Sequence, residues 1–190
     1  MARLSLQGLH SAGAEACVYA LDYWKTVTAD RSQFLERAVS LLERSDARFC
    51  VIGGQAVNAY VEPVVSLDLD LAVAADDLGR AESLLREHFA AERFPHSVNL
   101  SDPGSDVRIQ LQTDPRYAAF PERAETRNVL GMKLPVAHLD DVVQGKVWAA
   151  LDPARRASKR QKDLADLSRL LEAYPHLRPA IPQELLDRLL

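Results

Sequence analysis

The sequence predicts an α/β fold, and three observations carry the prediction. A short apolar run, Phe49-Cys50-Val51-Ile52, stops at the pair Gly53-Gly54. A second run, Leu67-Asp68-Leu69-Asp70-Leu71, alternates apolar and acidic residues with the period of a strand. Around them lie stretches whose leucines, valines and alanines recur at helical spacing. The expected architecture is a small mixed, mostly antiparallel sheet carrying the aspartates, flanked by helices, with the C-terminal helices over a cleft.

Residues 1–27 show neither a cap nor a clear period and are read as an N-terminal extension. From Thr28 or Asp30, both good helix caps, Phe34, Leu35, Ala38, Val39, Leu41 and Leu42 follow helical spacing to about Ser45. A break at Ser45-Asp46 leads into the strand 49–52 and the glycine pair. Residues 55–61 read as a short helix ended by Glu62-Pro63, because a residue before proline is pushed out of the helical region. The aspartate strand covers 65–74, and Asp76 or Asp77 caps a helix over 78–91 with Leu84, Leu85 and Phe89 on one stripe.

Two extended segments follow, 93–100 and 106–112, joined by the turn residues Asp102-Pro103-Gly104-Ser105 into a hairpin. A third extended piece joins Val129-Leu130 to 133–136 across Gly131. Helices over 139–151 and about 157–173 close the pattern before a proline-punctuated tail. The chain thus divides into the extension, a core over 28–136, and a helical part over 137–190 that completes the site.

With 190 residues, 47% of them hydrophobic, there is enough apolar material for one substantial core, or one core and a helical appendage. A net charge of −4 argues against a chain that coats nucleic acid, so any such partner binds to a local basic patch. Cys17 and Cys50 have neither metal-type nor redox-type spacing, as expected of a reduced, intracellular protein. Gln7, His10 and Glu15 interrupt the N-terminal apolar stretch, and no run approaches the roughly 18 apolar residues of a membrane span. A cytoplasmic location without membrane attachment is the expectation.

The Gly53-Gly54 turn between a strand and a helix exposes backbone N–H groups that can hold a phosphate, although a glycine pair is more often a tight connection. It is neither a P-loop nor a dinucleotide fingerprint, lacking the Lys-Ser/Thr pair and the third glycine. Asp68 and Asp70 point to the same face, about 6.5–7 Å apart along the strand, a usable pair of Mg²⁺ ligands. The plainer alternative is a solvated acidic face. Two carboxylates on one face of a strand nevertheless repel unless a cation compensates.

In the helix over 139–151, Lys146 falls within the stripe of Leu139, Val142, Val143, Val147 and Ala150, where it must either stretch to water or meet an anion. In the last helix Lys159, Lys162, Asp163 and Asp166 share one face at the edge of the core, and Arg155-Arg156 stand just upstream. Solvated salt bridges are the bland reading of that face. His96, His138 and His176 read as surface or cap residues.

The order strand, Gly53-Gly54, short helix, then Asp68 and Asp70 after thirteen intervening residues resembles the nucleotidyltransferase superfamily. The resemblance implies that the glycines face a triphosphate and that the aspartates coordinate Mg²⁺. It also calls for a third carboxylate on a later strand. In Asp106-Val107-Arg108-Ile109-Gln110-Leu111 that position falls on Gln110, which can ligate or hydrogen-bond but cannot act as a base; Asp106 is the possible substitute.

The segment Gly145-Lys146-Val147-Trp148-Ala149, then Arg155-Arg156, then Lys162-Asp163-Leu164-Ala165-Asp166-Leu167 is similar to the AbiEii-type nucleotidyltransferases, toxins of bacterial toxin–antitoxin systems. That resemblance spans roughly residues 48–174. It implies that Lys146 contacts nucleotide phosphates and that Asp163, or next to it Asp166, completes the active site. Arg155, Arg156, Lys159, Lys162 and Gln110 would help to bind the nucleotide.

The implied activity is Mg²⁺-dependent transfer of an NMP from an NTP to a hydroxyl of RNA, tRNA included, or of a protein, with a cognate antitoxin as partner. The alternatives are a degenerate nucleotide-binding or interaction module of the same fold, motivated by Gln110, and a structural partner protein with no site.

Overall fold

The structure, a computed structural model, describes residues 33–189. The expected extension 1–27 and the candidate caps Thr28 and Asp30 lie outside the described residues. Helix α1 (Phe34–Arg44) leads to β1 (Phe49–Ile52), α2 (Gly53–Asn58), β2 (Asp68–Val73) and α3 (Ala75–Arg86). Strands β3 (Ala90–Phe94), β4 (Ser97–Ser101) and β5 (Arg108–Gln112) follow, then β6 (Glu125–Val129) and β7 (Met132–Val136). Helices α4 (Leu139–Leu151), α5 (Ala157–Ala173) and α6 (Gln183–Leu189) complete the order. Among the described residues no helix is long and apolar enough to cross a membrane.

The strands form one seven-stranded sheet in the order β3-β4-β5-β2-β1-β7-β6. Four pairings are antiparallel, β1–β2, β3–β4, β4–β5 and β6–β7, and two are parallel, β2–β5 and β1–β7. The sheet is therefore mixed and mostly antiparallel, as the sequence predicts. All four residues of β1 are buried, in keeping with its unbroken apolar run and its place inside the sheet.

The pleat sorts β2, β4 and β5 into two faces. Leu69 pairs with Ile109, Leu71 with Leu111, Leu100 with Ile109 and Val98 with Leu111, all fully buried. Each such side chain contributes about 1.5–3 kcal/mol of burial. Helix α3 lies against β2 and β4, and Phe34 of α1 meets Phe89 edge-to-face with ring centroids 4.8 Å apart. The other face of the same strands carries Asp68, Asp70, Arg108, Gln110 and Asn99. Helices α2, α4 and α5 pack on one another, with Leu164, Leu167 and Leu170 of α5 buried beside Leu185 and Leu186 of α6.

Several elements differ from the expectation for identifiable reasons. Strand β2 begins at Asp68, so Leu67 is 47% exposed and lies outside the leucine face. The residues before it are held as a loop: Asn58 bonds Val64 from both ends of its amide, and Gln55 Nε2 donates to the Ser66 carbonyl at 2.7 Å. Asp76 and Asp77 sit in the first turn of α3 and do not cap it; Asp77 instead accepts from the Arg48 backbone N–H and from the Arg48 and Arg80 guanidiniums.

Helix α3 stops at Arg86, and the residues expected as one strand over 93–100 form parts of two, β3 and β4, turning at Pro95-His96. Likewise β6 and β7 form a hairpin through Leu130 and Gly131, both with positive φ (53° and 86°), where a single split strand was expected. The tail adds α6, a helix the prolines around it conceal.

Candidate active site

Strand β2 presents Asp68 and Asp70 on its polar face, and the parallel register places Asp68 beside Arg108 and Asp70 beside Gln110. The residue next to Asp70 on β5 is thus an amide, Gln110. Asp106 is exposed before β5 and does not line the cleft, so the substitution considered from sequence is not made there.

The glycine turn is shaped by these acids. Gly53 has φ 66°, and a Cβ on it would lie 2.0 Å from Asp70 Oδ2, so only glycine lets the carboxylate seat against the turn. A Cβ on Gly54 would lie 2.8 Å from Ser66 Oγ and 3.5 Å from Lys162 Nζ. Lys162 Nζ is 3.3 Å from Ser66 Oγ, and Lys159 Nζ is 3.5 Å from Asp68 Oδ2. One face of α5 therefore reaches across to the turn and to β2.

Asp70 is half-buried, and among the described residues it accepts no hydrogen bond and forms no ion pair. Burial raises its pKa above the ordinary carboxylate value; the Lys146 charge pulls it back and neighbouring Asp68 pushes it up again, for a net rise. A pair of hard oxygen donors with unmet acceptor capacity fits Mg²⁺. No group of three or more His, Cys, Asp or Glu side chains suited to a metal occurs among the described residues.

Behind the aspartates lies a buried ionic cluster. Lys146 Nζ is 3.0 Å from Asp163 Oδ1 and 2.7 Å from Asp166 Oδ2, and the three residues are 6%, 1% and 2% exposed. Arg155 Nε reaches Asp163 Oδ2 at 2.5 Å, and Arg169 Nη1 reaches Asp166 Oδ1 at 2.8 Å. Burial alone would lower the lysine's pKa, but the Asp166 and Asp163 carboxylates raise it above its usual value, so the ammonium is retained. The charged face of α5 is divided and is not the solvated one of the bland alternative: Lys159 and Lys162 face the cleft, while Asp163, at the cavity wall, and Asp166 are buried.

A cavity of about 350 Å³ joins these parts. Gly53, Gly54, Asp68, Asp70, Gln110, Lys146, Arg155, Arg156, Lys159, Lys162 and Asp163 all line it. Asp166 does not, and reaches the cleft only through Lys146. Among the described residues six cations, Arg108, Lys146, Arg155, Arg156, Lys159 and Lys162, border the cavity in a chain of net charge −4.

Sequence reasoning missed Ser66, Arg108, Gln112, Tyr117, Phe120 and Asp141 in the lining. Ser66, Arg108 and Gln112 were accessible to it, standing two residues from Asp68 and Gln110 at the period of a strand. Tyr117 and Phe120 come from short turns with no period. Their rings pack with Trp148 of α4, and burial pushes the Tyr117 hydroxyl up to about 12. His138 is the N-cap of α4, its Nδ1 accepting from the Asp140 N–H at 3.4 Å.

A family model described as nucleotidyl transferase AbiEii toxin, type IV TA system, matches residues 33–190. No curated protein matches the chain by sequence. Among solved structures it is similar to the antibiotic-resistance factor ANT(2″)-Ia in solution (13% identity, TM-score 0.54, covering 84% of this chain and 97% of that one). It is similar too to ANT(2″)-Ia in complex with adenylyl-2″-tobramycin (15%, 0.56, 82% and 97%). The lincomycin-bound lincosamide antibiotic adenylyltransferase LnuA gives 13%, 0.50, 73% and 97%. At these identities the likeness is one of fold.

Proposed function

The chain belongs to the AbiEii family of nucleotidyltransferases, and from that premise we propose that its cleft transfers an NMP from an NTP to a hydroxyl of RNA or protein. The observation that carries the reading is the convergence of Asp68, Asp70 and Lys146 on one cavity, with Gly53 shaped to receive Asp70. Asp68 and Asp70 would hold Mg²⁺, which when bound neutralises phosphate charge and orients the departing pyrophosphate.

Lys159 and Lys162, beside the glycine turn, bind the triphosphate together with Arg155 and Arg156. Lys146 stabilises the charge that develops as the acceptor oxygen bonds to the α-phosphorus, loses its proton to water, and the bond to the β-phosphate oxygen breaks with release of pyrophosphate. Gln110 orients by hydrogen bonding and takes no proton. Asp163, the acid on the cleft wall that α5 supplies, completes the site in place of a carboxylate on β5. The core over 28–136 supplies the metal and glycine side of the cleft together with Arg108, and the part over 137–190 supplies its other cations. As a toxin in the cytoplasm, with RNA such as tRNA or a protein as acceptor, the chain would be restrained by a cognate antitoxin.

One observation favours a second reading. Gln110 sits beside Asp70 where a third carboxylate would complete the acids, which suits a module that binds nucleotide without turnover. Pyrophosphate release from each of the four NTPs, with and without Mg²⁺, separates the two. The proposed activity requires release that depends on Mg²⁺ and disappears in Asp68→Asn/Asp70→Asn. Binding with no release in the presence of total cell RNA and protein supports the module.

A further inference from the structure

The two buried carboxylates that hold Lys146 each possess a second cation. Asp163 is shared between Lys146 and Arg155, and Asp166 between Lys146 and Arg169. A buried carboxylate stripped of its only cation is strongly destabilising, whereas one that keeps a partner is not. Lys146 can therefore leave its present position without stranding either acid. Arg169 does not line the cavity and is 20% exposed at its side chain, so it meets no substrate.

We propose that Arg169 is a positioning residue: by keeping Asp166 paired, it lets the Lys146 ammonium pass from its carboxylates to the phosphates of a bound nucleotide. The proposal rests on the reading of Lys146 as the phosphate-binding lysine. Without Arg169, moving Lys146 toward a phosphate would leave Asp166 buried with no counter-ion, and the lysine would stay where it is. Asp163 has Arg155 for the same purpose, but Arg155 itself lines the cavity, so Arg169 is the cleaner probe.

Arg169 also braces the chain: Nη2 donates to Asn58 Oδ1 at 3.1 Å and to the Glu62 carbonyl at 2.5 Å, tying α5 to the loop that leads into β2. A bracing role and a charge-balancing role predict opposite responses to removal of the Asp166 charge. Adding Asp166→Asn to Arg169→Leu removes the stranded anion but restores no brace.

The test is the dissociation constant of each Mg²⁺–NTP complex for the full chain, by equilibrium dialysis, carried through with the tightest of the four. Arg169→Leu is expected to weaken binding about tenfold, the scale of one displaced ionic contact, and Arg169→Leu/Asp166→Asn to recover to within about threefold of wild type. Should Arg169→Leu fail to fold, Arg169→Gln keeps an amide donor for the loop and carries the same comparison. Unchanged binding in the single variant, or a double variant as weak as the single, overturns the proposal. Lys146→Met separates the premise from the inference. If it binds like wild type, or if wild type binds none of the NTPs, the phosphate reading fails and the inference with it; if it binds weakly while the double variant shows no rescue, only the inference fails.

Discussion

Gly53 and Asp70 constrain each other. The left-handed backbone of Gly53 and the 2.0 Å approach of its missing Cβ to Asp70 Oδ2 mean that Gly53→Ala must strain the turn and displace the carboxylate. Left-handed alanine alone costs about 1–2 kcal/mol, and a displacement of about 1 Å at a reacting centre can remove about a hundredfold of rate. Thermal melts and pyrophosphate release on Gly53→Ala should show both losses. Asp70 carries a cost of its own. Its pKa is raised on folding, so the metal-free protein loses stability as the pH climbs from the ordinary carboxylate value through the raised one. Asp70→Asn should consequently raise the Tm of the metal-free protein at neutral pH while abolishing Mg²⁺-dependent transfer; a lowered Tm would contradict the desolvation argument.

Among the elements, α5 joins core and site most directly. Leu167 is fully buried in the core, so Leu167→Ala should cost about 2–5 kcal/mol in urea denaturation. The opposite anchor, α3, offers a pH test. The Arg48 backbone N–H, the Arg80 guanidinium and the Arg48 guanidinium hold Asp77 down at about 2. A carboxylate depressed on folding adds stability that is complete above its unfolded value of 3.8 and is lost as the pH falls toward 2. Wild type should weaken across that acid range, and Asp77→Asn should show less of that slope.

Legibility in the sequence followed the strength of the local signal. The bounds of β1, α4 and α5 match their expected ranges because an unbroken apolar run, a His138 cap and a sustained period mark them. The helix expected to run to 91 and the strand expected over 93–100 split β3 between them and join its end to β4, because both strands are short and β3 is mostly exposed, and α6 is only seven residues long among prolines. In the site, the acids of β2 were visible from period-two alternation. The enclosure of Asp163 and Asp166 was not, since a charged helical face is ordinarily solvated; Lys146 within an apolar stripe was its one trace.

At the scale of the molecule, the sheet and the C-terminal helices are two halves of one cleft. The sheet supplies Asp68, which Lys159 approaches, Asp70, which has no cation partner among the described residues, and Arg108; α4, α5 and the loop between them supply Lys146, Arg155, Arg156, Lys159 and Lys162, of which Lys146 and Arg155 are committed to buried acids. In a chain of net charge −4, these parts gather six cations of the described residues around one cavity. The division makes the two halves interdependent for activity: neither Asp68 and Asp70 nor Lys146 should support transfer without the other. The most direct test supplies NTP labelled at the α-phosphate, with Mg²⁺ and total cell lysate, to wild type, Asp68→Asn/Asp70→Asn and Lys146→Met. The account predicts label in RNA or protein with wild type alone, matched by pyrophosphate release. Nucleotide that binds to wild type while no lysate component becomes labelled would contradict it.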